Sequence, residues 1–417
     1  MNARRRRLTG WLAHRAVRLL TAAHGFALLL PRRRARRPSA EEPIRLLLTG
    51  TFHSEAWVAA HLGPLVASRG CGRVVVVAND PVPPLAKVEW VRPSPLLVRS
   101  IGRTAARLLT FVWQSLRTRP HIVGGFHLLL NGLLAIALAR FAGARSLFFC
   151  VGGTAEVDEG GRHGENRLFG LMPAPDLRVE RRLLRAVDAA DFVVVMGTGA
   201  ERSFRERGVR TSIHVIGGGI DPARFSPASG GAEPEFDLIF VGRLAPIKRV
   251  DLFLAAVARV AARRPGTTAV IVGEGPLRAS LEEQAALLDL RARVVFAGRQ
   301  QDVASWLRRS RVFVLTSDSE GLPLSAVEAM MCGLPVVAPA VGDLPDLVEE
   351  GVNGHLVRER EAEAFVQPLL ALLQDEERRR GAGAAALAKA SRYTVADASR
   401  LWDGLLEQVR HNEGRPA

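Results

Sequence analysis

The sequence of 417 residues is poor in the residues that build disulfide frameworks and metal sites. It has only three cysteines, Cys71, Cys150 and Cys332, which are scattered along the chain and lie beside apolar runs. An odd number of widely spaced cysteines is typical of buried thiols in a reducing compartment. No cysteine pair has metal-ligand spacing and no Asp-x-Asp motif occurs, so we expect no metal ion.

Aromatic residues make up only 6% of the chain and form no interleaved stacking platform. The formal net charge of +15 is concentrated at one end: residues 1–40 hold eleven arginines and no Asp, Glu or Lys, which leaves +4 for residues 41–417. No nucleic-acid-binding module is recognisable either. We therefore expect no nucleic-acid partner.

Residues 1–40 also lack an apolar run of about 20 residues, which argues against a membrane-spanning helix. Their apolar residues recur at helical spacing among the arginines. One interpretation is a basic amphipathic helix on an anionic membrane surface. A disordered leader, an incorrectly assigned start codon and a cleaved export signal remain as alternatives.

The length of the chain favours two domains. Residues 41–225 alternate buried strands, the first from Ile44, with helices that include single helices predicted over 96–117 and 128–141. Such alternation predicts a parallel, doubly wound sheet. A linker rich in Pro, Gly and Ser at 226–235 predicts a hinge.

A second domain is predicted over 236–392, followed by a C-terminal helical segment at 393–417. Its first strand ends at Gly242-Arg243, and Lys248 lies near the start of the next helix. Two cations on one strand-to-helix turn are suited to a leaving group whose negative charge grows in the transition state.

The stretch 317–337, SDSEGLPLSAVEAMMCGLPVV, predicts a strand end, an acidic turn, a helix and a further strand. Glu320 lies at the mouth of the crevice outside the strand ends, and Glu328 lies on the helix. With Pro323 as the first helical residue, the amides of Leu324 and Ser325 form a helix N-terminus that favours phosphate. Either glutamate alone is more simply a solvated charge at a helix start, but the pair suggests a site for a phosphorylated, polyhydroxylated ligand.

This stretch closely resembles the E-x7-E segment of retaining glycosyltransferases of family 4, also called glycosyl transferases group 1. Gly242 to Lys248 is similar to the family's G-R-L-x-x-x-K signature, although Arg249 replaces the glycine that often follows the lysine. The resemblance covers about residues 44–410 and is strongest over 236–357. It implies an α/β fold of the GT-B class: two facing Rossmann-like, doubly wound domains with an interdomain cleft.

The resemblance also implies roles for individual residues. Glu320 would orient the donor hexose, Arg243 and Lys248 would stabilise the diphosphate, and His127 would contact the sugar, with His53 as the second choice for the last role. Nucleotide-binding positions are implied at Glu328, Leu324, Ser325, Gly242, Gly273, Gly298 and Arg299. The first-strand loop departs from the family pattern, because it has a single glycine.

The implied reaction moves a hexose-type sugar from a UDP- or GDP-sugar to a saccharide or lipid-linked acceptor in cell-envelope or exopolysaccharide synthesis. No cofactor beyond this co-substrate is expected. The expected location is the cytoplasm, with the inner face of the cytoplasmic membrane as a peripheral site. The alternatives are an epimerase-like enzyme, a non-catalytic scaffold on the same fold, and a NAD-dependent oxidoreductase. The last is disfavoured because Arg278 occupies the third glycine position of the dinucleotide motif.

Overall fold

The computed structural model describes residues 3–52, 54–164, 166–228 and 233–411, without the side chains of residues 3–7 and 167. The chain forms two compact units. Unit 1 contains the residues up to Gly219 and those from Val395 onward, and unit 2 contains Ile220–Thr394.

Unit 1 is built on a seven-stranded parallel sheet. Its strands are β1 (Ile44–Thr49), β2 (Cys71–Val77), β3 (Val88–Val91), β4 (Ile122–Phe126), β5 (Arg145–Cys150), β6 (Phe192–Val195) and β7 (Ser212–Val215). They lie in the order β3-β2-β1-β4-β5-β6-β7, so the direction of winding reverses between β1 and β4. The carboxyl ends of strands at such a reversal are where doubly wound sheets bind ligands.

In the part of the chain that the structure describes, eight helices precede the second sheet. They are α1 (Ala3–Ala27), α2 (Glu55–Ala67), α3 (Pro95–Ile101), α4 (Arg103–Thr118), α5 (Leu133–Ala142), α6 (Arg167–Gly170), α7 (Leu177–Asp188) and α8 (Thr198–Glu206). A π-helical turn spans Leu128–Gly132, and short 3-10 turns span Gly153–Glu156 and Asp158–Gly160.

Unit 2 has a six-stranded parallel sheet in the order β10-β9-β8-β11-β12-β13. Its strands are β8 (Phe236–Val241), β9 (Ala269–Val272), β10 (Val294–Gly298), β11 (Ser310–Val314), β12 (Val336–Pro339) and β13 (Gly354–Val357). Its helices are α9 (Val250–Arg263), α10 (Arg278–Leu287), α11 (Val303–Arg308), α12 (Leu324–Met331), α13 (Leu344–Leu347), α14 (Ala362–Gln374) and α15 (Glu376–Ala390), with a 3-10 turn at Pro246–Lys248. Here the winding reverses between β8 and β11.

The last helix, α16 (Val395–His411), belongs to unit 1 and packs against α2. Trp402 on α16 is buried, and its ring lies 5.6 Å from that of Phe149 on β5. Asp403 accepts a hydrogen bond of 2.7 Å from the Arg69 amide. The chain therefore returns to its first sheet after completing the second.

Helix α1 is also an integral part of unit 1. It contacts α5, α6 and α7, and Val17 is fully buried within the core that these helices share with the sheet. Two ion pairs add to this packing: His14 and Arg18 each approach a carboxylate oxygen of Asp176 at 2.6 Å. Burial alone would raise the pKa of Asp176, but the hydrogen bonds from His14 and Arg18 hold it well below its ordinary value. The basic N-terminal segment is thus a packed helix over residues 3–27.

The structure differs from the sequence predictions at three places in unit 1. The single helix predicted over 96–117 is wrong, because Gly102 adopts a φ of +82° and divides α3 from α4. The helix predicted from residue 128 starts only at Leu133, after the π-helical turn. The edge strands β3 and β7 have four residues each, too few to give a clear periodic signal, and the sequence did not predict them.

Two residues on α1 test the packing of this helix. We expect Val17→Ala to lower the free energy of unfolding by about 1–3 kcal/mol, because it leaves a cavity in the core. Leu19→Ala, on the same helix with a side chain 71% exposed, is the matched control and should change it by less than about 0.5 kcal/mol. Urea unfolding of both variants measures the difference; equal effects would contradict the docked helix.

Candidate functional site

The loops after β8, β9 and β10 form one tightly packed row at the carboxyl edge of the sheet in unit 2. The Gly242 amide donates to the Val272 carbonyl at 3.0 Å, and the Gly273 amide donates to the Gly298 carbonyl at 2.8 Å. Gly273 has a φ of +147°, and a Cβ atom there would lie 1.8 Å from the Gly242 oxygen. Only glycine fits at this position, which leaves a backbone edge that a ligand can approach closely.

A bidentate ion pair connects the loops after β8 and β11. The Lys248 ammonium donates to both carboxylate oxygens of Glu320, at 2.6 and 2.8 Å, and the Ser317 hydroxyl donates to one of them at 2.5 Å. The Glu320 side chain is only 7% exposed. The sequence predicted both charged residues as site residues, and the structure brings them into direct contact.

Backbone contacts on both sides fix the loop that carries Glu320. The Thr316 hydroxyl donates to the Lys248 carbonyl at 3.1 Å, and the Asp318 amide donates to the Ile247 carbonyl at 2.8 Å. On the other side, Gly342 has a φ of +56°, and a Cβ atom there would lie 1.9 Å from the Glu320 carbonyl oxygen. The carboxylate is therefore held in place by the main chain around it as well as by its cation.

Glu328 lies on α12, and its side chain is half-buried. Burial raises the pKa of Glu328 to about 7, and the charge of Arg224 only partly offsets this effect. Because the folded-state pKa is raised, Glu328 contributes stability below pH 4.5 that is lost as the pH rises through about 7. This carboxyl group is thus poised to titrate near neutral pH.

Helix α12 begins at Leu324, with Pro323 as its N-cap, so the prediction that Pro323 is the first helical residue is wrong. Its φ of −73° and ψ of 108° are extended rather than helical. The Ala326 amide donates to the Pro323 carbonyl at 3.0 Å. Among the described residues, the amides of Leu324 and Ser325 have no hydrogen-bond acceptor, as expected for the first turn of a helix.

Arg249 occupies the position where the resemblance leads one to expect glycine, and its backbone keeps a glycine-like conformation, with a φ of +46°. Its guanidinium contacts Asp251 at 3.0 Å and Asp318 at 3.4 Å. These ion pairs help to offset the cost of about 1–2 kcal/mol for a left-handed non-glycine residue. Asp318 also pairs with Arg360, at 3.0 Å.

Arg243 and Arg299, the two remaining cations of the predicted site, follow β8 and β10 and are exposed at the same edge of the sheet. No group of three or more metal-ligating side chains occurs in the part of the chain that the structure describes. Metal independence remains a prediction, which activity measured in a chelator would test.

His127, the remaining predicted site residue, lies in unit 1 after β4, one of the two strands where the winding of that sheet reverses. Its backbone is strained, with a φ of +62° and a ψ of 137°, a conformation that non-glycine residues rarely adopt. Such strain is concentrated at functional sites. The alternative candidate, His53, lies outside the described residues.

The sequence analysis did not single out Glu156, the residue that holds this loop. The Glu156 side chain is only 2% exposed; one of its oxygens lies 3.1 Å from Nδ1 of His127 and accepts from the Gly152 amide at 2.9 Å. Its other oxygen accepts a hydrogen bond from the Leu128 amide. A lone glutamate in a short glycine-containing turn gives no sequence signal for this role, because its partners come from two strand ends.

Comparisons with known proteins agree with this geometry. Residues 235–375 match the family model described as Glycosyl transferases group 1. The chain is 34% identical over 219 residues to the D-inositol 3-phosphate glycosyltransferase of Frankia alni, a match that covers 48% of this chain and 53% of that protein. It is 32% identical over 254 residues to the enzyme of the same name from Streptomyces scabiei, covering 54% and 56%. The chain thus spans about half the length of the curated relatives it matches.

Solved structures resemble most of the fold. Anabaena Alr3699/HepE in complex with UDP and glucose has a TM-score of 0.69 at 19% identity, covering 88% of this chain and 100% of that chain. Sucrose-phosphate synthase from Thermosynechococcus elongatus has a TM-score of 0.72 at 20% identity, with the same coverage. The GT-B fold class and the family resemblance predicted from the sequence are confirmed.

Substitutions of Glu156 test the network around His127. We expect Glu156→Ala to lower the free energy of unfolding by about 2–4 kcal/mol, because it leaves the Leu128 and Gly152 amides without an acceptor. Glu159→Ala is the matched control in the same segment: its side chain is 45% exposed and makes only surface ion pairs. Thermal unfolding and amide exchange at Leu128 and Gly152 provide the measurement. Unchanged exchange in Glu156→Ala would show that the carboxylate does not hold the loop.

Proposed function

We propose that this chain transfers a hexose-type sugar from a nucleoside-diphosphate donor to an acceptor with retention of configuration. Residues 235–375 match the glycosyl transferases group 1 family, which supports this proposal. The observation that carries the proposal is the Lys248–Glu320 pair at the point where the sheet of unit 2 reverses its winding. Around this pair lie a glycine-lined backbone edge and two helix N-terminal amides. Charge and hydrogen-bonding capacity thus meet where a sugar diphosphate would bind.

The ion pair sets the electrostatic requirements of the reaction. The Lys248 ammonium has three N–H donors, and two of them donate hydrogen bonds to Glu320 in the free protein. The third can therefore donate to a phosphate oxygen. The pair itself is neutral, so the departing diphosphate would also be stabilised by Arg243 and by the partial positive charges of the Leu324 and Ser325 amides. These groups stabilise charge that grows as the glycosidic bond breaks.

Glu320 and Glu328 divide the recognition of hydroxyl groups between them. Glu320, held in place by Lys248, accepts hydrogen bonds from the donor hexose, and Glu328 accepts hydrogen bonds from the ribose. Gly273, Gly298 and Arg299 lie on the edge that receives the nucleotide. In unit 1, we assign His127, on the strained loop that Glu156 holds, to sugar recognition by that unit.

The donor is a UDP- or GDP-sugar. Support for the uridine nucleotide comes from the solved neighbours that were crystallised with UDP and with UDP-glucose. The acceptor is a saccharide or a lipid-linked saccharide, used in cell-envelope or exopolysaccharide synthesis at the cytoplasmic face of the membrane. Its chemical class is inferred from the basic N-terminal segment.

Lysine substitutions test the donor site. We expect UDP or GDP to raise the melting temperature of the wild-type chain. Lys248→Ala should lower the affinity for that nucleotide by about 10–100-fold, because it removes a charge-assisted hydrogen bond to phosphate. Lys389→Ala, which removes the other lysine of unit 2, is the matched control. ADP and NAD are measured in parallel.

Lys248→Ala leaves Glu320 without its cation, so Lys248→Ala/Glu320→Gln is measured as well to separate lost binding from lost folding. Stabilisation of the wild type by NAD alone would contradict the proposal and favour the oxidoreductase. No response to any nucleotide would favour the non-catalytic scaffold. Donor turnover without an acceptor to a rearranged nucleotide sugar would favour the epimerase-like enzyme.

The raised pKa of Glu328 gives a second test. Ribose hydroxyls donate to the ionised carboxylate, so donor binding is expected to tighten about tenfold from pH 6 to pH 8, as the group ionises around its pKa of about 7. UDP-glucose is the appropriate probe, because it has no terminal phosphate that titrates in this range. Glu328→Gln should bind with nearly constant affinity. Calorimetry at several pH values measures both; wild-type affinity that is constant or falls with pH would remove Glu328 from this role.

A further inference from the structure

Helix α1 exposes most of its large apolar side chains, apart from Leu20, which packs against the core of unit 1. The face packed on unit 1 consists of Gly10, Ala13, Val17, Thr21 and His24. The opposite face presents the helix's largest apolar residues, with these exposed fractions: Leu8 59%, Trp11 47%, Leu12 53%, Leu19 71% and Phe26 65%. This is the reverse of the usual arrangement, in which the apolar stripe of a surface helix faces the core.

The α3–α4 hairpin exposes a second apolar strip. Although α3 reads PLLVRSI, none of its residues is buried. On α4, Phe111 packs into the core, whereas Leu109, Trp113 and Leu116 recur at helical spacing on another side and are 53%, 63% and 64% exposed. Three large apolar residues on one exposed helix face exceed what scattered surface residues account for.

The two strips belong to one face of the seven-stranded sheet. Helix α5 contacts α4 on one side and α1 on the other. Helices α4 and α5 share one core cluster, and α1 and α5 share the next. Helix α2 lies on the opposite face of the sheet. The connection from β1 to β2 crosses the sheet in the opposite direction to the connection from β3 to β4. Right-handed crossovers in opposite directions place their helices on opposite faces. We call the exposed side of α1, α3, α4 and α5 the helical face.

The helical face is positively charged. Residues 90–155, which include α3, α4 and α5, contain eight arginines and neither Asp nor Glu, and residues 1–40 contain eleven arginines and neither acid. Of the eight, Arg107 is buried and Arg145 pairs with Asp191. Exposed Arg103 and Arg117 flank the strip on α4, and Arg103 also pairs with Asp80 at 2.7 Å. On α1, the guanidinium of exposed Arg15 lies 4.0 Å from the centre of the Trp11 ring. Tryptophan and leucine framed by arginine are typical of helices that lie in a membrane interface.

We propose that the helical face docks this protein on an anionic lipid bilayer, with α1 and α4 lying parallel to the surface and their Trp and Leu side chains inserted between headgroups. Charge complementarity selects this occupant: arginine in excess over the acidic residues that pair with it, such as Asp80 and Asp176, attracts anionic headgroups, and the same charge on two copies opposes self-association through this face. No helix of the described residues is long and apolar enough to cross a membrane, so the contact is peripheral.

The location at the membrane rests on the proposed function, and the surface that makes the contact is added here. This interface includes α3, α4 and α5, which lie outside the basic N-terminal segment. It does not depend on the transfer chemistry, since the helical face contains none of the residues assigned to donor binding.

Vesicle flotation with the full-length chain tests the surface. The probes are vesicles of phosphatidylcholine alone and vesicles that also contain phosphatidylglycerol. We expect binding to the anionic vesicles that weakens with salt, and a decrease of at least about tenfold in Trp113→Gln/Leu116→Gln and in Trp11→Gln/Leu19→Gln. Leu401→Gln, whose side chain is 51% exposed on α16, is the matched control and should bind like the wild type.

Two further measurements separate the outcomes. UDP thermal shifts on the same variants should be unchanged, so that loss of vesicle binding with intact nucleotide binding supports the helical face whatever the fate of the transferase proposal. Light scattering without vesicles reports self-association. The proposal is overturned if the wild type does not bind anionic vesicles, or if the double variants bind them as well as Leu401→Gln does. It is also overturned if the wild type forms a dimer without binding vesicles and the double substitutions abolish that dimer.

Discussion

The ion pair between Lys248 and Glu320 is the interaction on which the site in unit 2 depends. The two residues are 72 positions apart, and they meet because β8 and β11 are neighbours at the reversal of the sheet. A carboxyl group that is 7% exposed would be costly to bury without hydrogen-bond partners. Lys248 and Ser317 supply those partners, so the pair stabilises the loop before any ligand arrives and places one cation and one anion at fixed positions.

Backbone strain lies beside the proposed reacting groups in both units. Arg249, directly after Lys248, and His127 both have a positive φ that glycine would adopt without strain. In each case charged contacts hold the strained segment: Asp251 and Asp318 bind Arg249, and Glu156 binds the His127 loop. Strain held in place by satisfied polar contacts is what pre-organises a site, because the conformation no longer has to be formed when the ligand binds.

Local motifs explain which parts of the site were predictable. Gly242 and Glu320 follow strands whose apolar runs are clear in the sequence, and Glu328 lies on the helix after the second of these strands. One strand-to-helix unit fixes each position. Contacts that depend on the order of strands in the sheet were not predictable. A local sequence pattern does not show that Lys248 pairs with Glu320, or that Glu156 accepts a hydrogen bond from the Leu128 amide. The division of a predicted helix at Gly102 was missed for a related reason, since helical periodicity continues across the glycine that breaks it.

The basic N-terminal segment illustrates the same limit and its consequence. The sequence predicts an amphipathic helix but does not say which side packs. In the structure Val17 is fully buried, so α1 cannot rotate its large apolar stripe inward without losing that packing. The exposed stripe is therefore a fixed property of unit 1 and not the result of a loosely attached leader. Together with Trp113 and Leu116, it places most of the exposed large apolar side chains of the described residues on unit 1, whereas unit 2 exposes Leu287, Val295 and Val352. The two units thus have different surfaces. Unit 2 carries the groups that we propose for nucleotide binding, and unit 1 carries an apolar, arginine-rich face that water alone would disfavour.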